Sequence, residues 1–229
     1  MPTIIAVANQ KGGSGKSTTA FNLAAGLAKA NYGTAVLDLD VQATITKWYR
    51  RAVKNGNSPF RVFNSSQGLI AETIAEIRQQ AGLEVVLVDC PPSMTDITLT
   101  AVQCSDAVIC PVKATAFDVE ASLPLRDFVE TQLKLKPSMR FMVFLNETHM
   151  RRGLDQTARE ELVRLFQKSP QVTVLENFID DLTEVAEVGG TSQTLFVYKP
   201  KSKGARQYMK LTKEVVECLA ANNHSVSAS

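Results

Sequence analysis

Apolar runs rich in Val, Ile and Leu recur along the chain and alternate with longer segments of helical periodicity. The runs are near-continuous rather than alternating, which is typical of strands buried on both faces of a parallel sheet. Strands are predicted at 3–9, 34–39, 60–63, 85–89, 107–112 and 141–146, with a weaker one at 172–175. Helices are predicted at 16–30, 43–54, 68–81, 97–104, 119–133, 155–167, 182–188 and 203–221. This alternation predicts a three-layer, doubly wound α/β fold whose mostly parallel sheet is flanked by helices.

Length and composition add few constraints to this pattern. The 229 residues suit one domain, predicted at 1–221, and the Asn/Ser/Ala-rich end, 222–229, is expected to fray. The formal net charge of +2 indicates no partner by itself. No signal pattern or membrane-length apolar run is visible, so a cytoplasmic protein is expected. The cysteines form no C-x-x-C pair and no metal spacing with histidine, which predicts free thiols in a reducing compartment at Cys90, Cys104, Cys110 and Cys218.

A Gly-rich stretch at 10–18, reading QKGGSGKST, separates the first predicted strand from the first predicted helix. Backbone N–H groups and the positive end of a helix dipole make such a turn an anion site. Its glycines let the backbone approach a phosphate closely, because a Cβ would collide. Lys16 can reach β- and γ-phosphate oxygens, and the Ser17 hydroxyl can ligate Mg²⁺. The stretch therefore predicts a nucleotide site in preference to a turn with two solvated lysines.

The spacing departs from G-x-x-x-x-G-K-[ST] at one position, because Gln10 stands where the first Gly belongs and Lys11 follows it. The stretch KGGSGKS resembles the deviant Walker A box of the ParA/MinD superfamily of P-loop ATPases. That resemblance implies the P-loop NTPase fold, ATP with Mg²⁺, and an ATP-dependent homodimer. It also implies that Lys11 and Lys16 act in catalysis, Lys11 by reaching the nucleotide of the partner subunit. The implied nucleotide contacts in this stretch are Lys11, Gly12, Gly13, Ser14, Gly15, Lys16, Ser17 and Thr18.

Acidic residues end two of the predicted strands. Asp38 and Asp40 stand at i and i+2, so both carboxylates point to one side of the sheet, beside the loop. The stretch resembles the family's D-x-D-P-Q, with Val41 in place of proline. By resemblance, Asp40 positions the attacking water and Asp38 helps to hold the Mg²⁺ water shell; two solvated loop acids are the alternative. Asp89 ends an apolar run and opens a D-x-P-P stretch like the family's, which predicts a Mg²⁺ ligand together with Ser17.

Two residues are assigned to the base by resemblance. Asn146 ends the sixth predicted strand, and its amide offers both a donor and an acceptor to the adenine edge. A turn-forming Asn is the alternative. Pro200 lies in YKPKSKGA, which begins at Tyr198 and resembles the family's Y-x-P-x-S-x-x-A box, whose proline region flanks the adenine.

The segment 199–213 carries six basic residues and no acidic one. Nonspecific duplex binding needs little more than a positive surface aimed at phosphates, and basic residues of this box contact DNA in relatives. A solvated helix start is the alternative. Where several DNA-binding relatives carry a basic residue upstream, this chain has acids at 180, 181, 184 and 187. The predicted DNA contacts are Lys199, Lys201, Lys203, Arg206 and Lys210.

Two helices carry further predictions. In the helix at 43–54, the only Trp, Trp48, is predicted to lie in the core or at a dimer edge, and Arg50 and Arg51 are interpreted as a solvated face. Pro124 falls inside the helix predicted at 119–133, so this helix is expected to begin late or to kink near Leu123.

Three functions are compatible with these motifs. The first is a partition ATPase of the small ParF-like class, since Lys11 lies close to the start of the sequence. Its ATP-bound dimer would bind DNA nonspecifically, associate with the nucleoid and segregate plasmid or chromosomal DNA. A ParB-like or other cargo-bound activator would stimulate hydrolysis.

The second is a relative that positions a protein cargo such as a carboxysome, a chemoreceptor cluster or a conjugation complex. The third, a metabolic P-loop enzyme, would need neither Lys11 nor the basic tail. MinD-like membrane docking is not expected, because no basic amphipathic helix ends the chain.

Overall fold

The computed structural model describes residues 1–56, 58–65, 69–148 and 152–225. Within these ranges, the strands form one sheet in the order β3-β2-β4-β1-β5-β6-β7, and every pairing is parallel. This arrangement confirms the predicted fold class. The strands are β1 (Thr3–Val7), β2 (Thr34–Asp38), β3 (Arg61–Asn64), β4 (Val85–Asp89), β5 (Ala107–Lys113), β6 (Arg140–Asn146) and β7 (Val172–Val174).

Helices cover both faces of the sheet. They are α1 (Lys16–Lys29), α2 (Thr44–Lys54), α3 (Ile70–Arg78), α4 (Asp96–Cys104), α5 (Ala116–Glu120), α6 (Leu123–Leu135), α7 (Arg152–Phe166), α8 (Thr183–Glu187), α9 (Leu195–Tyr198) and α10 (Lys203–Ser225). A short 3₁₀ turn, Val188–Gly190, follows α8.

Two hydrophobic clusters, one on each face of the sheet, form the core. Alternate residues of β1 point to opposite sides, so Ile4 belongs to one cluster and Ile5 to the other. The cluster around Ile4 holds α3 to α7, and the cluster around Ile5 holds α1, α2, α9 and α10. Burial on both faces explains why the strand sequences are continuously apolar.

Trp48 lies in the second cluster, with 2% of its surface exposed. Its indole meets the ring of Phe21 edge-on, with centroids 4.4 Å apart, and stacks on Phe60 at 5.6 Å. The indole Nε1 donates a hydrogen bond to the Gln193 carbonyl at 3.2 Å. The core position predicted for Trp48 is therefore confirmed, and it anchors α2 on α1 and on the segment that leads into β3.

Several element boundaries differ from the predicted ones. The helix predicted at 119–133 is two helices, and Pro124 occupies the first turn of α6, where its missing N–H costs no hydrogen bond. β1 ends at Val7 rather than at 9. Ala43, predicted as helical, adopts the left-handed conformation at φ 48°, so α2 begins at Thr44. The short α9 was not predicted, because four residues carry too little periodicity.

The C-terminal helix is longer than predicted. α10 continues to Ser225, so the segment expected to fray from 222 begins inside the helix. Residues 226–229 lie outside the described residues, as does Gly68, the predicted start of the third helix. All four cysteines are free thiols, as predicted. Among the helices described, none is long and apolar enough to span a membrane.

Candidate nucleotide site

The Gly-rich stretch forms the loop between β1 and α1, as predicted. Asn9, just beyond the end of β1, braces its start. The Asn9 amide donates to the Pro111 carbonyl at 2.8 Å, and its Oδ1 accepts from the Lys11 N–H at 3.0 Å. The far end of the loop is continuous with the first turn of α1, because the Thr19 N–H donates to the Gly15 carbonyl at 2.8 Å.

Two glycines give the loop its shape. Gly13 and Gly15 have φ of 72° and 89°, in the left-handed region that L-residues with a Cβ rarely adopt. A Cβ on Gly15 would lie 2.1 Å from Nδ2 of Asn146. That nitrogen donates to the Ser14 carbonyl at 3.0 Å, so Asn146, at the end of β6, supports the loop from below. The sequence analysis assigned Asn146 to the base, with a turn-forming Asn as the alternative, and did not predict this support of the loop.

The two lysines of the loop point in different directions. Lys16 is buried, and its ammonium donates to the Lys11 carbonyl at 3.0 Å, across the mouth of the loop. Burial lowers the pKa of Lys16, and the nearby Asp89 acts in the opposite direction. Lys11 points outward with 41% of its side chain exposed, and its Nζ lies 2.7 Å from Oδ1 of Asp118.

Neighbouring strands bring two of the predicted acids together beside the loop. β4 pairs with both β1 and β2, and Asp89 stands opposite Val7 on one side and Asp38 on the other. Asp38 is buried, and its Oδ2 accepts hydrogen bonds from the Thr46 N–H at 2.9 Å and the Thr46 hydroxyl at 2.7 Å. Asp38 therefore ties the end of β2 to the first turn of α2.

Asp89 is fully buried, and neither of its carboxylate oxygens has a hydrogen-bond partner among the described residues. Burial raises the pKa of Asp89 to about 8, and the nearby Ser17 hydroxyl counteracts this only in part. A buried carboxylate without a donor is costly unless a cation or a proton compensates its charge. Two free oxygens beside an anion-binding loop suit a hard divalent cation such as Mg²⁺.

Asp40 lies outside the core, two residues beyond Asp38. Its Oδ1 accepts from the Gln42 N–H at 2.9 Å, which shapes the turn into α2. The carboxylate is half-exposed and adds to the charge around Asp89, whose pKa it raises. It is therefore placed where water can reach it.

Pro200 and the predicted DNA residues belong to the C-terminal segment around the turn between α9 and α10. Pro200 is exposed in this turn. Lys199 forms an ion pair with Glu187 at 2.7 Å, and Lys203 forms one with Asp180. Three of the five predicted DNA contacts remain exposed: Lys201, Arg206 and Lys210.

Sequence reasoning missed three residues that position the site, namely Asn9, Thr46 and Asp118. Asn9 was included in the first strand, although a polar residue at the end of an apolar run was a usable signal. Asp118 belongs to a Thr-x-x-Asp pattern, and Thr115 caps α5 by accepting from the Asp118 N–H at 3.2 Å. Nothing in the local sequence marks Thr46, because its bond to Asp38 depends on how α2 returns toward the sheet.

Comparison with known proteins agrees with this geometry. The model of the CobQ/CobB/MinD/ParA nucleotide binding domain matches residues 5–222. The chain belongs to this family. The matched range includes the loop with both of its lysines and the acids of β2 and β4.

The chain is similar to proteins that are named for partition and for carboxysome distribution. The chromosome-partitioning ATPase Soj of Thermus thermophilus is 29% identical, with 93% of this chain and 94% of that protein covered. The maintenance of carboxysome distribution protein A of Halothiobacillus neapolitanus is 28% identical, with 70% of this chain and 74% of that protein covered. A solved structure of a putative plasmid partition protein from Borrelia burgdorferi, bound to AMPPNP, superposes with a TM-score of 0.71 at 20% identity, covering 95% of this chain and 99% of that one.

Proposed function

We propose that this chain is a Mg²⁺-dependent ATPase that dimerises when it binds ATP, binds DNA nonspecifically as a dimer, and segregates plasmid or chromosomal DNA. A cargo-bound partner, ParB-like in character, stimulates hydrolysis and releases the dimer from the nucleoid. Similarity to Soj over nearly the whole chain supports the partition role.

The outward direction of Lys11 is the observation that carries the proposal. A loop that only holds phosphate needs one lysine, and Lys16 supplies it from inside the loop. Lys11 is half-exposed and its only described side-chain partner is Asp118, so its ammonium is available to a second molecule at the cost of one ion pair. A second subunit that brings its own nucleotide against this face would offer Lys11 a phosphate.

The residues around the loop suit phosphoryl transfer to water. Bound Mg²⁺ would supply charge neutralisation and would be held by the Ser17 hydroxyl and Asp89, with Asp38 acting on its water shell. Lys16 holds phosphate oxygens, and the backbone N–H groups of 12–18 cradle them. Asp40, half-exposed and already fixed by the Gln42 N–H, orients the attacking water. Asn146 keeps the loop in shape and, with Pro200, flanks the base.

DNA co-sedimentation with ATP, with ADP and without nucleotide tests the proposal. We expect pelleting of the protein with DNA in ATP alone, weakening steeply with salt because phosphate contacts release counterions. Lys16→Ala should abolish both nucleotide binding and pelleting, while Lys29→Ala, an equivalent change at the far end of α1, should leave both unchanged. Equal pelleting in all three nucleotide states would contradict an ATP-controlled dimer, and a metabolic P-loop enzyme would not pellet at all.

A second function, positioning of a protein cargo, is favoured by the 28% identity to the carboxysome distribution protein. Such a protein would use the same loop and the same DNA-binding dimer, so the site does not separate the two. Affinity capture with the Asp40→Ala variant, which is expected to stay dimeric with ATP because it does not hydrolyse it, separates the two functions. Recovery of a DNA-bound adaptor supports segregation, and recovery of a cargo-shell adaptor supports positioning.

A further inference from the structure

A second basic surface lies on α2, far in sequence from the C-terminal box. Between Asp40 and Glu72 the chain has no acidic residue, and it has five basic ones. Four of these are on α2, which also has no acidic residue in its first turn. They are Lys47, Arg50, Arg51 and Lys54.

The four basic side chains share the outer face of α2. The inner face is buried through Ile45, Trp48 and Ala52. At about 100° per residue, the basic positions fall within an arc of roughly 100° on the opposite side of the helix. All four are exposed, and no apolar residue of the helix lies within that arc. We call this surface the α2 basic face.

The charges of the α2 basic face are not neutralised by the protein itself. Among the described residues, no ion pair or side-chain hydrogen bond involves Lys47, Arg50 or Lys54, and Arg51 donates only to the Gly189 carbonyl at 2.8 Å. On the C-terminal surface, by contrast, Glu187 and Asp180 already hold two of the five predicted cations. The α2 basic face therefore keeps four exposed cations without an ion pair among the described residues, although the sequence suggested only a solvated face.

The α2 basic face and the C-terminal surface belong to the same side of the molecule. Both α2 and α10 pack on the cluster that includes Ile5, and α1 contacts both helices between them. Packed helices lie about 8–10 Å apart, so the axes of α2 and α10 are separated by roughly 20 Å. Their exposed faces both point away from the sheet, so one long polyanion lying across this layer can touch both.

We infer that the α2 basic face binds the phosphate backbone of duplex DNA and acts on the same DNA molecule as Lys201, Arg206 and Lys210. This inference rests on the proposed function. From Lys47 to Lys54 the helix rises about 10 Å, which matches about three phosphate spacings of one strand. A protein partner would be expected to find aromatic or apolar anchors on the face, and the arc offers none.

The position of α2 also connects this surface to the nucleotide site. Asp38 accepts two hydrogen bonds from Thr46 in the first turn of α2. Asp40, two residues beyond Asp38, fixes the turn that leads into the same helix. Any rearrangement of these carboxylates on nucleotide binding therefore moves the start of the α2 basic face, which makes its DNA affinity depend on the nucleotide.

Three double variants of the full chain test the inference, each removing two positive charges. They are Lys47→Gln with Arg50→Gln on α2, Lys201→Gln with Arg206→Gln on the C-terminal surface, and Lys134→Gln with Lys168→Gln on the opposite helical layer as the matched control. DNA affinity in ATP is measured at several salt concentrations, and ATP-dependent dimerisation is measured in parallel. A charge-retaining variant, Lys47→Arg with Arg50→Lys, reports whether the change acts through charge.

Each cation that binds a phosphate contributes about 0.9 to the slope of log affinity against log salt, so removing two should weaken DNA binding roughly 60-fold at about 0.1 M salt and flatten the slope by about 1.8. We expect both effects in the α2 and C-terminal variants, none in the control, and retained affinity in the charge-retaining variant. An α2 variant that dimerises and binds DNA like the control would overturn the inference while leaving the proposed function intact. If the wild-type protein shows no ATP-dependent DNA binding, the proposed function fails and the inference fails with it.

Discussion

Lys11 and Asp118 form an ion pair that joins the nucleotide loop to the start of α5, with 2.7 Å between Nζ and Oδ1. The Thr115 hydroxyl donates to the other oxygen of Asp118, so this carboxylate is held in place independently of Lys11. Only 7% of the Asp118 side chain is exposed, against 41% for Lys11. The lysine predicted to cross to a partner is thus held by its own chain. Because water reaches the Lys11 side of the pair, solvent screening limits its contribution to about 1 kcal/mol.

Replacing Asp118 by Asn should make dimerisation easier. Asn keeps the shape at the start of α5 but removes the charge that holds Lys11, so the ATP concentration for half-maximal dimerisation should fall by up to about fivefold. Lys11→Ala should bind ATP and remain monomeric. Analytical ultracentrifugation over an ATP titration measures both. A monomeric Asp118→Asn protein would show instead that Asp118 is needed within the dimer.

Asp40→Ala should separate dimerisation from hydrolysis. Losing the group that orients the water should reduce ATP turnover by at least about 100-fold, while ATP-dependent dimerisation persists. Because Asp40 also accepts from the Gln42 N–H, Asp40→Asn is the control for shape, since its Oδ1 can keep that bond. Phosphate release and sedimentation are measured on both variants. Normal turnover in the Asn variant would mean that the turn matters and the charge does not.

The pKa of Asp89 predicts a pH dependence. It lies at about 8 in the folded protein, above its ordinary 3.8, because burial disfavours the charge. Between about pH 4 and 8 the folded state therefore binds this proton more tightly than the unfolded chain does. The free energy of unfolding is highest at the low end of this range and falls by at most about 1.4 kcal/mol per pH unit as the pH rises. Urea unfolding of the nucleotide-free protein should show this decline, and Asp89→Asn should not.

The same group makes Mg²⁺ binding depend on pH in the opposite direction. Mg²⁺ needs the carboxylate, so metal binding releases a proton and its affinity should rise by up to about tenfold per pH unit until about pH 8. Titration calorimetry of Mg²⁺ with ADP at several pH values checks this. An affinity that is flat between about pH 6 and 8 would exclude Asp89 as the titrating group.

Gly15→Ala should damage the loop more than Gly13→Ala does. Both positions have positive φ, so each alanine costs about 1–2 kcal/mol in the left-handed conformation. Only at Gly15 does the new Cβ also meet Nδ2 of Asn146, at 2.1 Å; at Gly13 it meets nothing within 4 Å. Thermal unfolding and ATP affinity of both variants measure the difference. Adding Asn146→Ala to Gly15→Ala should restore room, and equal losses at both glycines would refute the support role of Asn146.

The predicted fold followed largely from local sequence. Near-continuous runs such as the one in β4 need both faces covered, and that requirement alone selects a parallel sheet between helices. The loop at 10–18 was equally visible, because its glycines, its lysine and its place between a strand and a helix are local properties. Element ends were less visible: a single left-handed residue, Ala43, shifted the start of α2, and no periodic pattern reports a left-handed residue.

The sequence alone determined the phosphate loop, the acids at the strand ends and the layered fold. The loop and the acids are local motifs, and the fold follows from strands that all have near-continuous apolar sequences. Tertiary structure decided which charges remain free. Lys11 meets Asp118, Lys203 meets Asp180, and Asp38 holds Thr46, and the basic run on α2 stays open to solvent. An ion pair forms only where folding brings two side chains within a few ångströms, and charge counts along a sequence carry no such distance.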